Sequence, residues 1–317
     1  MKLEKADILS DFQRWLKSYF RNAKHREISK NSILIYKRVF SKLESFIIEQ
    51  KEVTLISEID KEFILSFLEY FEENSKIDKF SSKTKILYIS ILKSFFVYIS
   101  DNNDDFYTYE KEFKGIMPKN INKSKKISYL SNSDVDLLLK HIQNNLLEEK
   151  HYSYIHSLGI KLMLFSGLRV SEVLSLTLED IRISDLLNKE GEKDFYEIHL
   201  KDTKSKEEQT ALINIKHIEQ ELSYFRALQD NDLYIFKAKN SKNKINRSNF
   251  YVSITSIMKL LNIKGKGLHI LRHTCAMQLF RKTGNLLVLK ETLRHSDIKT
   301  TMIYAHAEKK DIANAMR

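Results

Sequence analysis

The sequence predicts a mainly α-helical protein of two domains with one small β-hairpin, and three observations support this prediction. The 317 residues include a single proline and seven glycines among many Leu, Ile, Lys and Glu residues, a composition that favours helices. Apolar residues recur at helical spacing along most of the chain. One region, 195–215, instead alternates apolar and polar residues as strands do. The length suits two domains of ordinary size.

Residues 1–115 are predicted to form an N-terminal bundle of four amphipathic helices. The predicted helices run over 7–24, from an Asn31-Ser32 cap to about Gln50, from Ser57 with Asp60 as its capping partner, and from about Ser82 to Ile99. Aromatic residues form a stripe along these helices. We interpret the stripe as the core of the bundle, with a platform for stacking bases as the alternative.

The net charge predicts a polyanionic partner. The formal charge is +11, and residues 131–317 hold 29 Lys and Arg against 23 Asp and Glu. A linker is predicted at 116–130, where the only proline interrupts the helical pattern beside four lysines and no acidic residue. These lysines either lie along phosphates or belong to a solvated connector. If the partner is DNA, its binding should weaken steeply with salt.

Residues 131–317 are predicted to form the second domain. A helix begins after Leu130-Ser131, and an apolar helix runs from Ile155 to Phe165. Residues 195–200 and 209–213 are predicted to be two strands joined by the lysine-rich segment 201–206. The tip of this hairpin is expected to be exposed.

Cysteine usage and hydropathy exclude several classes of protein. Cys275 is the only cysteine, so the chain forms no internal disulfide and no cysteine-cluster metal site. It is predicted to lie in the core. The N-terminal residues lack a hydrophobic signal region, and no run is apolar enough to span a bilayer. We therefore expect a cytoplasmic protein.

Residues suited to phosphate chemistry concentrate near the C-terminus. If a helix begins at His269, then His269, Arg272 and His273 share one face. A guanidinium group matches phosphate oxygens, and histidine donates or shuttles a proton near neutral pH. The His269 and His273 spacing also occurs in zinc helices, but the usual glutamate is Ile270 here, so we discount a metal site. With the Tyr304 hydroxyl, these groups suit phosphoryl transfer.

Three segments share a specific order and spacing. They are Gly167-Leu-Arg-Val-Ser-Glu172, the first box; His269-Ile-Leu-Arg272-His273, the second box; and Leu293-Arg-His-Ser-Asp-Ile-Lys-Thr-Thr-Met-Ile-Tyr304, the third box. His295 follows Arg272 by 23 positions and Tyr304 follows His295 by nine. In residues and spacing the boxes resemble the tyrosine recombinase (phage integrase) family, and its bacterial Xer-type members in particular. The resemblance is clear over residues 125–317 and only general before them.

The resemblance implies a fold, an activity and an assembly. An N-terminal helical core-binding domain (1–115) and a C-terminal catalytic domain (131–317) would form a C-shaped clamp on double-stranded DNA. The activity would be site-specific recombination through a 3′-phosphotyrosyl intermediate and a Holliday junction, for chromosome dimer resolution or mobile-element integration. A dimer would bind one inverted-repeat site, and a tetramer would synapse two duplexes. The sequence leaves open the target site and any accessory regulator.

The resemblance also implies roles for individual residues. The implied catalytic residues are Arg169, Lys204, His269, Arg272, His295 and Tyr304. The arginines would hold the oxygens of the scissile phosphate, His269 would share proton transfer with the nucleophile Tyr304, and His295 would donate to the phosphate. Lys204, with Lys206 as second choice, would protonate the leaving 5′ oxygen. No metal, cofactor or ATP is implied, because the phosphotyrosyl bond conserves the energy of the DNA ester.

Several other residues keep two interpretations. Glu172 either orients Arg169 or forms a pair on the helix surface. His273 is expected to be architectural and His306 a surface residue. The following basic residues are DNA contacts by resemblance, or else part of a solvated helix face: Arg38, Lys42, Lys83 and Lys85.

One departure from the family pattern lies in the third box. Where relatives usually have glycine before the histidine, this chain has Arg294, which either tightens the phosphate contact or crowds the turn. Residues 305–317 are predicted to form a short helix that, by resemblance, docks into a neighbouring subunit. A frayed terminus is the alternative.

Two other functions fit parts of the sequence. A type IB topoisomerase would use the same nucleophile and arginines without site preference or synapsis. A non-catalytic DNA-binding regulator would keep the basic surface but would not need Tyr304 and the paired arginines, so the intact set argues against it.

Overall fold

The structure is a computed structural model that describes residues 4–50, 52–74, 80–104, 107–118, 127–201, 208–228, 234–238, 241–265, 267–295 and 297–305. The chain divides into two compact units, Met1–Ser124 and Lys125–Arg317. In the described part of the chain, none of the helices combines the length and the apolar character that a membrane crossing requires.

The first unit is helical. Its helices are α1 (Glu4–His25), α2 (Lys30–Glu49), α3 (Lys61–Glu73) and α4 (Ser82–Asn102), with a 3₁₀ turn at Ile56–Glu58. Phe12, Phe40 and Phe95 meet at the centre, and each is completely buried. Edge-to-face contacts between such rings add to the energy of burying them. The interpretation of the aromatic stripe as core is therefore confirmed.

Two of the predicted helix starts in this unit were wrong. Ser29, not the Asn31-Ser32 pair, caps α2, because its hydroxyl accepts the N–H of Ser32 at 3.1 Å. Helix α3 starts at Lys61 rather than after Ser57, because Asp60 Oδ1 accepts the N–H of Phe63 at 2.9 Å. Ser57 instead lies in the 3₁₀ turn.

The second unit consists of helices and one small antiparallel sheet. Its elements are α5 (Asn132–Leu146), α6 (His151–Phe165), α7 (Val170–Val173), β1 (Ile181–Ile183), β2 (Phe195–Leu200), β3 (Gln209–Asn214), α8 (Glu219–Ala227), α9 (Arg247–Leu260), α10 (His269–Thr283), α11 (Leu286–Leu293) and α12 (Lys299–Ala305). The strand order is β1-β2-β3, with Ile181 opposite Ile198 and Tyr196 opposite Ile213. The predicted hairpin is β2 and β3. Strand β1 was not predicted, since three residues are too few to show alternation.

Helix α6 forms the centre of the second unit. Its side chains are buried on nearly every face, and α5, α8, α9 and α10 all pack against it. Burial of apolar surface on several sides makes this helix the main source of hydrophobic stabilisation for the unit. It also fixes the position of the loop that follows it, which carries the first box. Cys275 on α10 is buried, as predicted.

Replacement of Gly159 by Ala should destabilise the second unit by about 1–3 kcal/mol. A Cβ at Gly159 would lie 2.5 Å from Phe250 Cζ and 3.2 Å from Phe236 Cε1. Both rings are buried, so neither can move away freely. Urea denaturation of the variant measures the loss of free energy of unfolding. A gain in stability, as expected for Gly to Ala on an exposed helix, would contradict this packing.

Candidate active site

The first box lies in a tight turn after α6. Helix α6 ends at Phe165, and Gly167 then takes a left-handed conformation with φ of +61°. A Cβ there would lie 3.0 Å from Leu293 Cδ2, so glycine suits both the conformation and the close approach of α11. Arg169 follows as the N-cap residue of α7, as the sequence predicted for a helix start. The turn directs the Gly167 carbonyl and the Arg169 side chain toward the other two boxes.

Arg272 links the three boxes. Helix α10 begins at His269 as predicted, and the Arg272 side chain on it is only 5% exposed. Its Nη1 donates to the Gly167 carbonyl at 2.6 Å, and its Nη2 donates to the Leu293 carbonyl at 2.5 Å. Segments that are more than one hundred residues apart in sequence are therefore joined by one guanidinium group.

Glu172 is surrounded by three guanidinium groups, and together they form what we call the Glu172 cluster: Glu172, Arg169, Arg272 and Arg294. Arg169 Nη1 lies 2.6 Å from Glu172 Oε1, and the Arg169 backbone N–H donates to Oε2 at 2.7 Å. Arg294 Nη2 lies 3.2 Å and Arg272 Nη1 3.9 Å from Oε2. The Glu172 side chain is 7% exposed, so this is a buried contact and the interpretation as a helix-surface pair does not hold.

The charges in the Glu172 cluster control the ionisation of the Glu172 carboxyl group. Burial alone would raise the pKa of Glu172, but the charge of Arg294, the hydrogen bonds from Arg169 and the charge of Arg169 hold it below its ordinary value. Glu172 is therefore an anion at neutral pH. The three guanidinium groups and one carboxylate give the cluster a net positive charge, which suits the binding of a phosphate group.

Tyr304 lies on α12 and is almost completely buried, at 1% exposure. Its ring packs in a small apolar cluster with Ala276, Met277, Leu289 and Leu293. Its hydroxyl is hydrogen-bonded to His273 Nδ1 at 2.8 Å. Burial raises the pKa of Tyr304 to about 12, although the charge of Arg272 opposes the rise. The hydroxyl is therefore neutral at pH 7.

The contact between His273 and Tyr304 is one that the sequence did not predict. The available signal was the position of His273, one turn after His269 on the same face of α10. The rings of His269 and His273 lie 6.5 Å apart, centroid to centroid. His269 is exposed, and its pKa is lowered by partial burial and by the charges of Arg247, Arg272 and Arg169.

His295 is held in place by the second half of its own box. Arg294 takes a left-handed conformation that ends α11, after which His295 Nδ1 is hydrogen-bonded to Thr301 Oγ1 at 3.0 Å. Thr301 is fully buried. Burial, followed by the charges of Arg272, Arg169 and Arg294, lowers the pKa of His295 to about 4. The imidazole is thus neutral at pH 7.

Other predicted residues belong to the first unit or lie outside the described residues. The latter are Lys204, Lys206, His306 and the predicted tail 305–317 beyond Ala305. Arg38 and Lys83 are exposed, whereas Lys85 pairs with Glu72 at 2.6 Å. Among the described residues, His, Cys, Asp and Glu side chains form no group of three that could hold a metal ion.

The stability of the second unit should fall as the pH is lowered from about 6.5 to about 4. Burial lowers the pKa of His273 and of His295 from 6.5 to about 4 in the folded chain. The unfolded chain then binds more protons than the folded chain within this window, so the stability present above pH 6.5 is lost on acidification. Each 1 kcal/mol lost should lower the melting temperature by about 2–4 °C.

Melting curves across this pH range test the point. A double variant, His273→Gln with His295→Gln, should show a shallower fall than the unmodified chain. The comparison is needed because the pKa values of His156 and His217 are lowered too. Equal slopes for the two proteins would contradict the assignment.

Comparison with known proteins gives consistent results for both units. The model of the phage integrase family matches residues 128–311, and that of the phage integrase SAM-like domain matches residues 11–98. The tyrosine recombinase XerD of Rickettsia bellii is 31% identical over 304 residues, covering 92% of this chain and 93% of the relative. The tyrosine recombinase XerH of Helicobacter pylori is 25% identical over 295 residues, covering 89% and 76%.

Solved structures share the fold. The XerH recombinase in its post-cleavage complex with palindromic difH DNA matches with a TM-score of 0.73 and 22% identity, covering 92% of this chain and 80% of that one. The Tn1549 transposon integrase in complex with transposon right end DNA matches with a TM-score of 0.63 and 17% identity, covering 93% and 98%. The predicted fold class, a mainly α chain with a helical N-terminal domain and a small sheet in the C-terminal domain, is confirmed.

Proposed function

This chain belongs to the phage integrase family, and on that premise we propose that Tyr304 cleaves DNA by forming a 3′-phosphotyrosyl bond at a specific site. The chain is a site-specific tyrosine recombinase, a DNA strand transferase that acts on double-stranded DNA. The proposal concerns how its own residues perform this reaction. The observation that carries it is the hydrogen bonding of Arg272 to both Gly167 and Leu293, because this brings the three boxes to one site.

The arginines are proposed to bind the scissile phosphate. Arg169 is 34% exposed and can turn toward a ligand, whereas Arg272 lies deeper and is rigidly held. Two guanidinium groups stabilise the charge that builds on the non-bridging oxygens in the pentavalent transition state. His295 adds a third donor, because Thr301 fixes its Nδ1 and leaves Nε2 to donate to a phosphate oxygen.

The proton transfers can be assigned to named groups. As the bond from Tyr304 Oη to phosphorus forms and the bond from phosphorus to the 5′ oxygen breaks, the phenol proton must leave. His273 Nδ1, 2.8 Å from the hydroxyl, is the proposed acceptor in the resting geometry, with His269 one turn away as the family's usual participant. The leaving 5′ oxygen takes a proton from the hairpin lysine, for which Lys204 stays our first choice and Lys206 our second.

Neither a metal ion nor ATP is needed in this proposal. The phosphotyrosyl bond keeps the energy of the DNA ester, so a 5′ hydroxyl can attack it and rejoin the strands. The charge stabilisation that a metal would supply comes from the Glu172 cluster and His295. DNA as the substrate supports a cytoplasmic location.

The assembly is also proposed by family likeness. A dimer would occupy one inverted-repeat site and a tetramer would synapse two sites, with the tail 305–317 linking neighbouring subunits and a Holliday junction as the intermediate. The task would be chromosome dimer resolution or the movement of a genetic element, with or without an accessory regulator. The prediction of an N-terminal domain over 1–115, a linker over 116–130 and a catalytic domain over 131–317 belongs to the same proposal.

A nicked suicide duplex tests the reaction class. Candidate sites would be taken from the DNA around the gene and from the chromosome terminus, and the reaction would contain EDTA and no ATP. We expect a covalent adduct of protein and DNA on a denaturing gel. Binding without an adduct, or an adduct that requires a metal ion, would overturn the proposal. Relaxation of plasmids without site preference and without strand exchange would favour a topoisomerase instead.

A further inference from the structure

Arg294 ends α11 within the third box, and its side chain contacts Glu172 of the first box. We propose that Arg294 is a positioning residue that neutralises Glu172 from the buried side and so leaves Arg169 available for the scissile phosphate. This inference rests on the proposed function, since it assigns a role within the same site.

The contacts of Arg294 point inward. Its side chain is 4% exposed, against 34% for Arg169, although both contact the same carboxylate. Arg294 Nη2 donates to Glu172 Oε2 at 3.2 Å and to the Gly167 carbonyl at 3.3 Å, and Nη1 donates to the Thr292 carbonyl at 2.9 Å. The guanidinium group of Arg294 thus pairs with Glu172 inside the protein, whereas the partly exposed guanidinium group of Arg169 is the more accessible of the two to a phosphate.

The backbone of Arg294 supports the same conclusion. The residue has φ of 52° and ψ of 49°, a left-handed conformation that disfavours any residue with a Cβ. A glycine would relieve this strain. The ion pair and the carbonyl contacts of the Arg294 side chain offset it in this chain. Its backbone carbonyl also accepts from Arg169 Nη2 at 3.3 Å, so the same residue aligns Arg169.

The charges show why Arg169 depends on Arg294. A buried carboxylate must be paired, and a lone partner is held strongly. Without Arg294, Glu172 would keep Arg169, at 2.6 Å, as its main partner, since Arg272 Nη1 is 3.9 Å away. The free-energy cost of moving the Arg169 guanidinium group from Glu172 to a phosphate would then be greater. Of the charges around Glu172, that of Arg294 lowers its pKa most, which agrees with a second strong partner.

Three substitutions separate charge from backbone strain. Arg294→Met keeps the strain and removes the charge, Arg294→Lys keeps both, and Arg294→Gly removes both. We expect Met and Gly to slow single-turnover cleavage about 10- to 100-fold, as loss of a supporting partner does, with unchanged DNA affinity. Lys should restore most of the rate. Adding Glu172→Gln should shrink the effect of Arg294→Met, because the two residues act together.

A readout independent of catalysis separates this inference from the proposed function. The rate at which phenylglyoxal modifies Arg169, followed by mass spectrometry of its peptide in the full-length protein, measures how available its guanidinium group is. We expect modification to slow several-fold in the Met and Gly variants but not in the Lys variant. Unchanged modification, or a Gly variant that cleaves as fast as the unmodified chain, would overturn the inference. If the unmodified chain formed no adduct, the proposed function would fail and the modification rates alone would decide the role of Arg294.

Discussion

Tyr304→Phe is expected to abolish covalent joining of the protein to DNA while leaving DNA binding intact. The hydroxyl is the proposed nucleophile, and no other atom of the side chain can form the bond. The ring is buried in an apolar cluster, so Phe fills the same space. Only the hydrogen bond to His273 is lost, at a typical net cost of about 1 kcal/mol. Adduct formation and fluorescence anisotropy with the same duplex measure the two properties.

Tyr196→Phe is the matched control. Tyr196 on β2 is also buried, and its hydroxyl is hydrogen-bonded to Glu219 and Arg226, away from the three boxes. This variant loses a comparable hydroxyl contact and should still form the adduct. An adduct formed by Tyr304→Phe, or equal loss of the adduct in both variants, would contradict the assignment of Tyr304.

Arg272→Lys is expected to reduce cleavage by about 10²- to 10³-fold, the usual result of removing one donor to transition-state charge. It should also destabilise the fold by about 1–3 kcal/mol, because the buried carbonyls of Gly167 and Leu293 lose their donors. A lysine keeps the charge but cannot reproduce the two-pronged geometry. Single-turnover kinetics and urea denaturation measure the two losses.

Arg169→Lys provides the comparison. Arg169 is partly exposed, and its side chain bonds mainly to Glu172. We expect a similar loss of cleavage with a much smaller loss of stability. If Arg272→Lys left stability unchanged, or if Arg169→Lys destabilised the fold more, the description of Arg272 as the link between the boxes would be wrong.

The sequence predicted those parts of the site that depend on local periodicity. Helical spacing placed His269, Arg272 and His273 on one face of α10, and Gly167 correctly marked a helix end. Alternation predicted β2 and β3. These features follow from interactions between residues close together in the chain, for which composition and spacing are sufficient guides.

The remaining features depend on tertiary contacts. The ion pair of Arg294 with Glu172 joins residues 122 positions apart, and the hydrogen bond of His273 with Tyr304 joins residues 31 apart. No local pattern signals either contact. At the start of α3 the sequence indicated Ser57 as the cap with Asp60 as its partner, whereas Ser57 lies in a 3₁₀ turn and Asp60 itself caps the helix. The roles of Lys204 and Lys206 stay predictions, since both lie outside the described residues.

The most direct test of Tyr304 as the nucleophile is to identify the residue that becomes joined to DNA. Protein trapped on a nicked suicide duplex would be digested with protease and nuclease, and the peptide bearing the residual nucleotide sequenced by mass spectrometry. We expect a 3′-phosphate ester on Tyr304, in the peptide that follows Lys299. A nucleotide attached to any other residue, or cleavage by this protein without a covalent link, would contradict it.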